Sequence, residues 1–199
     1  MKKTIILTIV LAAGVFYSSF VSAQSYSSIQ YTVGIPTSGL KDHTSLASWR
    51  GITFEFQGEV APQISVGLNF SYSLFYERKD YDSYHKGNAT LTGVQYRYNN
   101  VFPMLANIHY RLNDGGPITP YVGFGLGTVY DRRYTDMGVY SIKEDLWHFL
   151  IAPEAGLLFN VDPDMSLKLN VIYDCGVKTD NADAFGNLRI NFGIVFNNI

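Results

Sequence analysis

From Ile64 onward, apolar and polar residues fall on opposite parities: Ile64, Val66, Leu68, Phe70, Tyr72, Leu74 and Tyr76 alternate with Ser65, Gly67, Asn69, Ser71 and Ser73. A period of two places each set on one side of an extended chain, whereas a helix would scatter both, so this segment reads as a strand. Leu188, Ile190, Phe192, Ile194 and Phe196 repeat the pattern against Asn187, Arg189, Asn191, Gly193 and Asn197. Leu167, Leu169, Val171, Tyr173, Cys175 and Val177 do the same against Ser166, Lys168, Asn170, Asp174 and Gly176. Weaker alternation covers Ile29–Ile35, Gly51–Gly58, Tyr98–Leu112, Tyr121–Asp131 and Leu146–Val161, which brings the expected number of strands to about eight.

The connections between these segments alternate in length. Ala61-Pro62-Gln63, Asn113 to Pro117 and Asp162-Pro163-Asp164 are short and rich in turn-forming residues. Gly39–Ser48, Arg78–Gln95, Arg132–Lys143 and Lys178–Phe185 are longer, polar and charged, and read as loops. Such asymmetry, with both chain ends on the short-turn side, is expected of an up-and-down antiparallel barrel that closes its first strand on its last. The polar parity, made of Gly, Ser, Asn and some charge, reads as too small and polar for a packed core. On alternation alone a soluble β-sandwich stays open, because it too buries one parity and wets the other.

Composition and the N-terminus favour the membrane. Charged residues are 16% of the chain, against roughly 25% in ordinary soluble proteins, while aromatics reach 15%. Lys2 and Lys3, the apolar run Thr4 to Phe16 and the small residues Val21-Ser22-Ala23 read as an export signal, residues 1–23, with the mature domain at 24–199. Removing Lys2 and Lys3 from the 15 basic residues leaves 13 against 17 acidic ones, a formal charge of −4, and no basic stripe suggests a nucleic-acid partner. The single cysteine, Cys175, has no second cysteine with which to staple the fold. No later apolar run is long enough for a membrane helix. Tyr72, Tyr76, Tyr130, Trp147 and Tyr173 gather toward the loop ends of their strands, and Tyr110, Phe159 and Phe196 toward the turn ends, as interfacial aromatic girdles do. The fold expected is all-β: an eight-stranded antiparallel up-and-down transmembrane β-barrel.

The stretch Asn99 to Leu112, the turn that follows it and the segment PYVGFGLG carry a motif through Pro103, Asn107, Tyr110, Arg111, Pro120, Tyr121, Gly123, Gly125 and Gly127. In these residues the chain resembles the small outer-membrane β-barrel domain proteins, a family that includes opacity-type adhesins and the barrel of the abundant protein A of the outer membrane. The resemblance implies location in the bacterial outer membrane and a structural or surface-interaction role. The chain departs from many such barrels at its end, where Phe196 is followed by Asn197-Asn198-Ile199 rather than closing on an aromatic residue.

The inward parity would carry Glu55, His109, Arg111, His148, Glu154, Lys168, Asp174 and Arg189. Of these, Glu55, Glu154, Asp174 and Arg189 are expected to form a polar network that plugs the lumen, with Asp174 opposite Arg189 and Glu154 near the same level. The alternative function is a narrow channel for small or apolar solutes. Arg78, Lys79, Tyr81, Tyr84, Arg132, Arg133 and Tyr134 make a candidate contact surface on the loops, since Tyr and Arg are enriched at contact sites. Its expected partners are outer-membrane lipid and lipopolysaccharide, or an extracellular ligand or envelope protein, met by a monomer. An imidazole at His43 and a hydroxyl at Asp82-Ser83 are the one thin hint of lipid A acyl-modifying chemistry, and loop composition accounts for them far better, since nothing around them resembles the motifs of a lipid-modifying enzyme. No enzyme activity, cofactor or metal is expected, because neither His109 nor His148 has a second His or a Cys at ligand spacing.

Overall fold

Every segment read as alternating becomes a strand. The computed structural model of the protein describes residues 25–86, 89–113, 116–138, 140–178 and 183–198, with the backbone alone at 83–86, 89–92 and 198. The segment expected to be an export signal lies outside these residues. The strands are β1 (Ser25–Thr37), β2 (Ser48–Ala61), β3 (Ile64–Lys86), β4 (Ala89–Arg111), β5 (Ile118–Met137), β6 (Tyr140–Asp162), β7 (Met165–Gly176) and β8 (Phe185–Asn198), with a short helix α1 (Ser38–His43) after β1. Each strand pairs antiparallel with its sequence neighbour, and β1 pairs with β8 from Ser25↔Asn198 to Thr37↔Gly186, closing the barrel and leaving no free edge.

Parity then sorts the side chains. Phe54, Phe56, Phe70, Phe124, Phe149 and Phe192 project from the outer wall and are exposed. A belt of this kind is far larger than water tolerates on a monomer and suits hydrocarbon. Near its loop-side edge, four neighbouring strands contribute one aromatic each in register: Tyr72, Phe102, Tyr130 and Trp147, with ring centroids 4.8, 6.2 and 4.9 Å apart. Tyr76 and Tyr98 form a further pair above them, 5.1 Å apart.

Two expectations are corrected. The segments Arg78–Gln95 and Arg132–Lys143 are strands rather than loops for most of their length. β3 and β4 stay paired through Glu77↔Arg97 and Arg78↔Tyr96 to Lys86↔Ala89, and β5 and β6 stay paired to Met137↔Tyr140, next to Gly138 at φ +58°. Both faces of these extensions are polar, so apolar alternation could not report them, although their Tyr and Thr content favours extended backbone. The second correction concerns the interior. Its polar character holds in the turn-side half, but Leu40, Phe75, Val101, Leu105, Val129, Leu150, Ala152, Ile172 and Phe185 form a buried apolar cluster inside the loop-side half.

Candidate functional site in the barrel lumen

The lumen is built in three levels, beginning at the end where the short turns and both described termini lie. There, a cavity of ≈ 370 Å³ is lined by Tyr26, Gln57, His109, Arg111, Tyr121 and Lys168, among others. Arg111 pairs with Glu59 and donates to the Tyr26 hydroxyl at 2.8 Å. At the inner end of the cavity, four buried ionisable side chains from four strands converge: Glu55 (β2), His109 (β4), Glu154 (β6) and Lys168 (β7). The Lys168 ammonium lies 2.6 Å from Glu55 Oε1 and 3.6 Å from Glu154 Oε1, and His109 Nε2 lies 3.1 Å from Glu154 Oε2. Glu154 also accepts from the Tyr121 hydroxyl and the Asn170 amide, both at 2.6 Å. Buried charges persist only when paired and hydrogen-bonded, and each member here has several partners.

Glycines make room for this cluster. A Cβ on Gly123 would sit 2.5 Å from His109 Cδ2, and one on Gly156 would sit 2.6 Å from the Tyr121 ring. Larger residues at these two positions would push the imidazole and the phenol off the carboxylates they hold.

The second level lies one step toward the loops. Arg189 makes a bidentate pair with Asp174, Nε to Oδ2 at 2.7 Å and Nη2 to Oδ1 at 2.8 Å, with both side chains fully buried. In register, Asp174 faces Asn187 and Arg189 faces Ile172, so the pair is diagonal and is bridged by the length of the arginine. Glu154 also stands opposite Ile172 in register, yet its carboxylate joins Lys168 and His109 in the first level. Asn69 links the two levels, accepting from Arg189 Nη1 at 3.2 Å and donating to Glu55 Oε2 at 3.1 Å.

The third level is the apolar cluster, covered by α1. Leu40 is its fully buried member from the helix. The sequence Ser-Gly-Leu-Lys-Asp-His is a weak helix former, and the helix is held from outside: Gly39 N–H donates to Ala184 O at 2.9 Å, and Arg97 Nη1 donates to the carbonyls of Asp42 and His43 at 3.3 and 3.0 Å. His43 Nε2 is 3.1 Å from Thr135 Oγ1. Burial, with the positive charges of Arg133 and Arg97 beside it, lowers the His43 pKa from 6.5 to about 4.

Sequence reasoning missed this level, but a signal was present. Leu74-Phe75-Tyr76, Phe149-Leu150-Ile151-Ala152 and Val171-Ile172-Tyr173 are apolar on both parities, which is what a strand covered on both faces requires.

The residues of the candidate contact surface divide between two walls. Arg78, Arg132 and Tyr134 belong to the outer wall, where Arg132 Nε is 2.9 Å from both the Tyr130 hydroxyl and Asp145 Oδ1. Lys79 lies opposite Gln95 on the inner parity, and Arg133 turns inward to Asp131, Nε to Oδ2 at 2.8 Å. Tyr81 is 73% exposed on the β3–β4 hairpin, and Tyr84 pairs with Leu91 in its backbone, its side chain lying outside the described residues. His43, the last residue of α1, the lid over the apolar cluster, is engaged by Thr135, and the Ser83 side chain also lies outside the described residues.

No family model matches the chain, and no curated protein matches it significantly in sequence. Solved structures do match in fold. Neisserial surface protein A superimposes with a TM-score of 0.59 at 13% identity, over 86% of this chain and 96% of that one. The outer membrane protein OprG of Pseudomonas aeruginosa gives 0.54 at 11% identity, over 88% and 96%. Ail, the attachment invasion locus protein of Yersinia pestis, gives 0.52 at 15% identity, over 87% and 99%. The chain has the eight-stranded up-and-down barrel fold of these small outer-membrane proteins.

Proposed function

We propose that the protein is an exported outer-membrane barrel, its residues 1–23 removed as a signal, that does not conduct and acts as a surface-interaction component through its protruding hairpins. The observation that carries this reading is the filled lumen: an ion cluster, a buried Arg–Asp pair and an apolar layer under α1 succeed one another across its section. A solute passing from end to end would have to break all three. The work left to the molecule is then outside the membrane, where β3 and β4 run some fourteen residues past the Tyr72 level, on the order of 40 Å of strand. Exposed Tyr81 and Tyr140, with Arg78 nearby, give that surface the aromatic and guanidinium groups that dominate protein contacts. Among fold neighbours, Ail has been solved with the heparin analogue sucrose octasulfate, which supports a surface-binding use of this scaffold.

The test pairs two measurements. Purified protein in planar bilayers should give no sustained current steps above background. Cells displaying a variant with residues 80–94 replaced by an Asn-Gly turn between the paired Lys79 and Gln95 should keep a heat-modifiable barrel and lose attachment to matrix components that the unmodified protein binds. Large regular conductance, or attachment indifferent to the hairpin, overturns the proposal.

A further inference from the structure

The inner end of the turn-side cavity has an excess of acceptors. Two buried carboxylates, Glu55 and Glu154, share one ammonium, that of Lys168. Two flanking amides already give their N–H groups to the cluster, Gln57 Nε2 to Glu55 Oε1 at 3.2 Å and Asn170 Nδ2 to Glu154 Oε1 at 2.6 Å, and a third, Asn107, lies with Nδ2 3.2 Å from His109 Nε2. Their oxygens, Gln57 Oε1, Asn170 Oδ1 and Asn107 Oδ1, are buried and accept no hydrogen bond from any protein group. A place rich in oxygen acceptors and reached through a polar cavity suits a cation.

We infer that Glu55, His109 and Glu154 form a divalent transition-metal site, loaded from the turn-side cavity, in which the Lys168 ammonium is a built-in competitor for the ion. One ligand atom from each of the three residues lies within 4.8 Å of the others. Imidazole with carboxylates is a ligand set that zinc accepts, and tetrahedral ligands at zinc bond lengths stand about 3.3 Å apart. The His109 Nε2 to Glu154 Oε2 separation of 3.1 Å already meets that spacing, and Glu55 Oε1 stands 3.9 Å from the other imidazole nitrogen, Nδ1. Glu55 and His109 line the cavity. Lys168 lines the cavity too, so its ammonium can swing into water when an ion replaces it between the carboxylates. The three ligands come from strands β2, β4 and β6, far apart in sequence, and so present no metal-binding spacing along the chain.

The experiment is zinc titration, followed by calorimetry, of the folded barrel in detergent after chelator treatment. Folding of each variant is checked by its heat-modifiable mobility. The wild-type protein should bind one zinc ion and unfold at higher temperature with it. His109→Gln and Glu55→Gln should each weaken binding by about tenfold or more. Lys168→Met, with Lys168→Gln as its alternative, should tighten binding by about tenfold because the competing charge is gone. Absence of saturable zinc binding in the wild type overturns the inference, as does binding unchanged in both ligand variants or weakened when Lys168 is neutralised. If neither Lys168 variant folds, the wild-type and ligand-variant titrations still decide.

Discussion

Arg189 and Asp174 meet through two parallel hydrogen bonds of 2.8 and 2.7 Å, both residues fully excluded from solvent in the middle of the lumen. Removing one partner strands the other's charge. Asp174→Asn should therefore destabilise the barrel by about 3–5 kcal/mol. Replacing both, as Asp174→Leu with Arg189→Met, should recover most of that loss, since buried pairs are often matched by apolar residues of similar volume. Urea unfolding in lipid vesicles, read by tryptophan fluorescence, measures both.

The outward orientation of Phe124 has a distinct signature. It lies midway along β5 between Ile118 and Tyr130, on the exposed apolar wall. In a bilayer, Phe124→Arg should cost about 2–4 kcal/mol, whereas on a water-facing sheet it would be close to neutral. Refolding yield into vesicles against detergent micelles separates the two.

Leu40 joins the lid to the apolar layer beneath it. Leu40→Ala should cost about 2–5 kcal/mol through the lost packing and the cavity left behind. Because the ion cluster and the Arg189 pair remain below, that substitution alone should not raise conductance in planar bilayers. Current appearing in Leu40→Ala would mean that the lid is the whole barrier.

Acid should loosen the same lid. The native pKa of His43, about 4, lies below its ordinary 6.5. Between those values the unfolded chain binds a proton that the native site resists, so stability falls as pH drops from about 6.5 toward 4 and is unaffected above that window. The neighbouring charges of Arg133 and Arg97 oppose protonation, and Glu144 favours it weakly. Amide protection factors over residues 38–44, taken relative to the intrinsic exchange rate at each pH, should fall on acidification, and His43→Gln should flatten that response.

Gly156 faces the Tyr121 ring, which in turn holds Glu154. Gly156→Val should destabilise by about 1–3 kcal/mol or more, by forcing the ring off the carboxylate. Gly93, with nothing within 4 Å of an added Cβ, is the control: Gly93→Ala should leave the heat-modifiable form intact.

Much of this molecule is legible along the chain because a barrel wall is a local object. Whether Phe70 faces out and Asn69 faces in depends only on strand parity, and short turns such as Asp162-Pro163-Asp164 fix which neighbours pair. The number of strands, their order and the inward direction of Glu55, His109, Lys168 and Arg189 were therefore readable. The hairpin extensions were not, because apolar alternation reports an apolar buried face, and the inward face of the extensions buries chiefly polar groups such as Gln95, with Met137 as the exception.

The wall follows from the chain alone: alternation, turn chemistry and an aromatic row set eight strands and two surfaces. What fills the wall is settled when the sheet closes. Closing the sheet brings Glu55, His109, Glu154 and Lys168 from four strands to one place, and folds Leu40 of a weak helix over Phe75 and Phe185. Those contacts depend on the stagger and curvature of the closed barrel. That geometry belongs to all eight strands together and has no signature in any one of them.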